Sequence, residues 1–136
     1  MGRTSRAIAF ATAAVVLGTG ACGTDQPEKP AVCESLAAVQ DNLTRIRNVT
    51  VAENGLTQFK TDLAQLKVNL QQLATDAKAE FATELQPVQA AANQLSASVD
   101  TARATPDATN LSGVRTSLNV LASSVQEFGD GLSGTC

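Results

Sequence analysis

The sequence predicts an all-α protein, an antiparallel helical bundle. Three observations carry that expectation. From Cys33 to Cys136 apolar residues recur at steps of three and four, the pattern of helices that bury one stripe. No stretch alternates with period two for long enough to make a strand. The composition, 43% apolar with no His, Trp or Tyr and four Phe, supplies small aliphatic side chains for helix seams. A chain of 136 residues is one domain's worth.

The first element is an address. Arg3 and Arg6 make a basic start with no acidic residue. Ala7 to Gly18 is an uncharged run of 12 residues, followed by Thr19, Gly20 and Ala21. A basic segment, a short apolar segment and small residues define a secretory signal, here residues 1–21. The run is shorter than the roughly 20 residues a bilayer span needs. Loss of Arg3 and Arg6 with the signal leaves 8 basic against 13 acidic residues, so the net charge moves from −3 to −5. An acidic domain disfavours anionic surfaces and phosphate backbones as partners, so no nucleic acid is expected.

Cys22 follows the signal directly. The stretch Leu17-Gly18-Thr19-Gly20-Ala21-Cys22 resembles the lipobox of bacterial lipoproteins, through Gly20, Ala21 and Cys22, and departs from it at Thr19. The resemblance implies that Cys22 is lipidated and becomes the N-terminus of an anchored protein. Ordinary cleavage after Ala21, giving a secreted protein, is the alternative. Residues 22–32 carry Pro27 and Pro30 among polar neighbours and read as an extended tether. The three cysteines are Cys22, Cys33 and Cys136. With Cys22 lipidated, Cys33 and Cys136 remain as one pair in an oxidising compartment, and a disulfide is expected between them.

The helical domain is expected over residues 33–136. Its first helix carries Leu36, Val39, Leu43 and Ile46 on one stripe. Thr50 and Glu53 have capping-box spacing ahead of the second. That stripe runs from Leu56 through Leu66, Leu73, Ala77, Phe81, Leu85 and Leu95 to Ala102. The last helix opens at Thr105-Pro106-Asp107, read as a cap, a first-position Pro and an early acid. It carries Leu111, Val114, Leu118, Leu121, Val125, Phe128 and Leu132, and Gly129, Gly131 and Gly134 are expected to stop it.

The middle of the chain is ambiguous. From Leu73 to Leu85 the apolar steps are all of four residues, so the stripe changes phase. Pro87 follows, and an interior Pro costs about 3 kcal/mol. The preferred expectation is three helices with a long middle helix kinked near Pro87, or four helices if the middle one splits. A middle helix over 54–104 would span about 75 Å. The two shorter helices would then lie end to end along it, so that Cys33 and Cys136 still meet.

Few groups suggest chemistry. Without His there is no imidazole base and no His metal ligand, and no Cys/His pattern points to a metal. Glu80 and Glu84 are one turn apart, but nothing else converges on them, and they read as a solvated face. Asn42, Asn48 and Asn110 head Asn-x-Ser/Thr triplets that read as chance. No catalytic residue, metal or cofactor is expected, and the protein does not read as an enzyme. Heptad stripes are ordinarily internal core, although one can be left for a second chain or a lipid. Ala90-Ala91-Ala92 permits close approach in either case.

The mature chain is similar to small exported helical proteins of actinobacterial type. The shared landmarks are Cys33 opening the first helix, the connection Val49-Thr50-Val51-Ala52-Glu53-Asn54-Gly55, the Phe81 to Pro87 stretch and the terminal Cys136. The resemblance implies fold and location only. The expected role is a structural or protein-interaction module at the cell envelope, on the outer face of the cytoplasmic membrane. Its partners would be the membrane, through lipid on Cys22, and an envelope protein. The alternative is a carrier or sensor of a small apolar ligand held in a helical seam.

Overall fold

The computed structural model describes residues 29–49, 55–77 and 80–136. The signal segment, Cys22, most of the tether and the Thr50–Glu53 box lie outside the described residues. Four helices make up the fold: α1 (Ala31–Asn48), α2 (Gly55–Ala77), α3 (Ala82–Ala104) and α4 (Ala108–Gly131). The all-α expectation holds and the preferred three-helix count does not.

The break falls between Ala77 and Ala82, not at Pro87. The phase change in the stripe explains its place. Each four-residue step carries the next side chain about 40° past a full turn, because a residue advances about 100°. Three such steps from Leu73 to Leu85 swing the stripe off any fixed partner. The corner at Phe81, with φ −120° and ψ 22°, resets it. Pro87 then sits as the sixth residue of a continuous helix. The hydrogen bond it cannot donate would have gone to Thr83, in the first turn, so the disruption stays at the end of α3.

The other boundaries differ from the sequence reading in small ways. α1 begins directly after Pro30, taking in Ala31 and Val32 from the segment read as tether, and Val32 is buried. The cap of α4 is Asp107, not Thr105. Its carboxylate accepts from the backbone N–H of Asn110 at 2.7 Å, while Thr105 closes α3 and Pro106 lies outside both helices. Gly129 is inside α4, where a Cβ would stand 3.3 Å from Leu36 Cδ2 and 3.4 Å from Gln40 Nε2. A bare backbone there lets α4 close onto α1. Gly113, also inside α4, has open space around its Cα. Gly113→Ala is therefore expected to raise stability by about 0.5–1 kcal/mol, through helix propensity alone. A urea melt that shows destabilisation would contradict the open surroundings.

The buried stripes meet in one core. Leu66, Leu73, Val39, Val88, Leu121, Val125 and Leu132 are among its most enclosed members. Contacts are dense between α1 and α2 and between α3 and α4, and sparse between α1 and α4 and between α2 and α3. The fold is thus two tight helix hairpins that meet lightly. Within the first hairpin, Ser35 donates to Asp76, and Asn69 donates to Asn42 at 3.3 Å. As numbers rise on α1 they fall on α2, so these helices run in opposite directions. In the second hairpin Ser98 and Ser117 share a 2.6 Å hydrogen bond. Cys33 and Cys136 are bonded, with Cα atoms 5.7 Å apart, and tie the start of the first hairpin to the end of the second.

Candidate functional site: a groove between α2 and α3

Where two helices share a face without packing closely, a groove is left. Between α2 and α3 it has a volume of about 610 Å³. The corner at Phe81 joins the two helices, so positions equally far from it lie side by side. Ala74 and Gln89 mark the end near the corner, and Lys60 and Arg103 mark the far end. The 14 steps from Lys60 to Ala74 put those ends about 21 Å apart.

The floor is aliphatic. Leu66 and Leu95 lie fully buried beneath it, and Leu63, Leu70, Ala92 and Val99 are half-buried along it. These last four belong to the predicted stripe but never reach full burial, because the neighbouring helix stands too far away to cover them. Ala92 belongs to the Ala90-Ala91-Ala92 run. Ala91 is buried, Ala90 is exposed, and Ala92 opens onto the groove.

The rim is polar and its charge is opposite to that of the protein. Lys60, Lys67 and Arg103 stand on it against one carboxylate, Asp100. Outside the groove, residues 22–136 carry 5 basic and 12 acidic residues. Arg103 lies 3.8 Å from Asp100, both well exposed, a pairing worth little in water. Lys60 and Lys67 have no carboxylate within salt-bridge distance among the described residues. Sequence reading missed this cluster. Lys60 and Lys67 are seven apart on one helix, a legible spacing, but Arg103 joins them only once α3 folds back.

A second hollow, about 240 Å³, lies between α1 and α4 and includes Gln40, Arg47 and Gln126. Both openings fall on the sparse interfaces between hairpins. The exposed Leu111 and Val120 of α4 form no patch. They are nine residues apart and so point to opposite sides of the helix.

The residues singled out for chemistry stay apart from the groove. Glu80 and Glu84 are exposed at the corner. Asn42 is wholly buried against Asn69, with its amide nitrogen lacking a partner, so its Asn-x-Thr triplet is out of reach of modifying enzymes. No group of three or more His, Cys, Asp or Glu among the described residues forms a metal-sized cluster. Among them no helix is long and apolar enough to cross a membrane. Comparisons with protein-family models, with characterised proteins and with solved structures find no match to the chain.

Proposed function

We propose that the protein is exported by the segment 1–21, anchored through lipid on Cys22 at the outer face of the cytoplasmic membrane, and carries or senses an apolar ligand there. Its four helices form an antiparallel bundle whose seam between α2 and α3 is the binding site. The observation that supports this reading is the groove: an aliphatic floor about 21 Å long that the fold leaves uncovered. Its volume falls within the roughly 300–1,000 Å³ of small-molecule sites. Each methylene buried on such a floor contributes about 0.8 kcal/mol. A tether over residues 22–30, ending where α1 begins at Ala31, would hold the groove within reach of the membrane that supplies the ligand.

A protein-interaction module is the second reading. The groove is open along one side, which favours a helix of an envelope protein laid across it. The run of half-buried aliphatic side chains, with cations gathered toward one end of it, favours the ligand.

Two measurements test the proposal. Organic extraction of the protein purified from native envelope, followed by mass spectrometry, should release a lipid in stoichiometric amount. A bare groove together with a co-purified protein would transfer the case to the interaction module. For the anchor, Cys22→Ser should abolish incorporation of labelled palmitate and move the protein to the soluble fraction. Membrane retention unchanged by that substitution would end the anchor proposal.

A further inference from the structure

We infer that the ligand of the groove is a single-chain anionic amphiphile, an acyl chain carrying a carboxylate or phosphate head, bound with its head at the Lys60–Arg103 end. The inference rests on the ligand-binding reading above and adds the class and orientation of what is bound.

The charge of the rim selects the head. Three of the eight basic residues left after the signal lie on the groove, against one of thirteen acidic residues. On an acidic protein this local reversal gives an anion a place of attraction. Lys60 and Arg103 approach the far end from the two opposing helices, and Lys67 stands two turns along the same edge as Lys60. A head at that end therefore meets cations from both walls. Lys60 and Lys67 have no carboxylate within salt-bridge distance among the described residues, and Arg103 needs only to leave a weak exposed pair with Asp100.

The floor selects the tail. From the cationic end it runs past Leu63 and Val99, then Leu70 and Ala92, to Ala74. No charged side chain lines the groove beyond Lys67 toward the corner. One leaflet of a bilayer is about 15 Å of hydrocarbon, the reach of one membrane acyl chain. The groove, about 21 Å long, takes that chain with its head.

The test uses the Cys22→Ser form of the full chain, stripped of bound lipid on a hydrophobic resin. Laurate and lauryl alcohol, which share a chain and differ in head charge, are titrated by calorimetry. Laurate should bind at least tenfold more tightly than the alcohol. Lys60→Gln/Lys67→Gln, two exposed changes that leave the core untouched, should cut that difference at least threefold, with Arg103 keeping the remainder. Ala92→Trp should block both ligands, and its fold is checked by circular dichroism. Equal binding of the two ligands overturns the anionic inference and leaves the apolar-ligand reading standing. No binding of either overturns both. Laurate binding that survives the double lysine substitution and Ala92→Trp places the ligand elsewhere and overturns the inference. A stripped protein that scatters light as a dimer with the groove occluded does the same, with a second copy as the occupant.

Discussion

Replacing both Cys33 and Cys136 by Ser is expected to remove about 4–5 kcal/mol of stability. The bond joins residues 103 positions apart. In the chain-entropy account, a loop of about 100 residues restrains the unfolded chain by about 4.7 kcal/mol. A domain of this size is stable by about 5–15 kcal/mol, so the loss is a large share. For a domain of about 100 residues it corresponds to a fall in Tm of at least ~15 °C. The place of the bond also matters. It ties α1 to α4, where the two hairpins touch only lightly. Reduction should let the hairpins part before either unfolds, uncovering the side chain of Val125, which lines the hollow between α1 and α4. Calorimetry of the oxidised, reduced and doubly substituted forms measures this. A change below about 1 kcal/mol would show that the hairpins hold together without the bond.

Leu121→Ala is expected to cost about 3–5 kcal/mol. Leu121 has no exposed surface and sits in the middle of α4 within the shared core. Truncating a buried Leu loses the transfer free energy of the removed atoms and leaves a cavity that rigid neighbours only partly fill. The control is Leu111→Ala. Leu111 belongs to the same apolar stripe ten residues earlier, yet it is 54% exposed. Its truncation should fall within about 0.5 kcal/mol of neutral. Chemical denaturation of the two variants under one condition decides the matter, and equal losses would contradict the position given to the first turn of α4.

Leu111 also shows how far periodicity can be read. Step spacing identifies a face of a helix, because side chains three and four apart line up. It does not say whether that face has anything to pack against at a given turn. At Leu118, Leu121 and Val125 other helices lie over the stripe, and at Leu111 none does. Leu63, Leu70, Ala92 and Val99 make the same point in intermediate form. Their spacing marks them as core, and the sparse meeting of α2 and α3 leaves them half-buried on the groove floor.

The corner tells a similar story. Both signals for it were in the chain, the run of four-residue steps and Pro87, and the stronger local signal was the wrong one. A proline is tolerated close to a helix start, since only a turn precedes it to be disturbed. The drift of the stripe could not be accommodated, because it governs what the helix buries along its whole length. The polar contacts of the first hairpin, Ser35 with Asp76 and Asn42 with Asn69, had no visible signal. Each partner lies more than 25 positions from the other, on a separate helix.

Local patterns were enough to establish that the chain is helical and which residues form the stripes. Helix formation and stripe position depend on neighbours within a turn or two, and those are adjacent in sequence. The split of the middle segment, the loose fit of the hairpins and the cationic groove came from the packed fold. Each depends on how far apart two helices stand, a distance set by all the side chains between them. Lys60 and Arg103 are 43 positions apart in the chain and become one site only because the corner at Phe81 brings α3 back along α2.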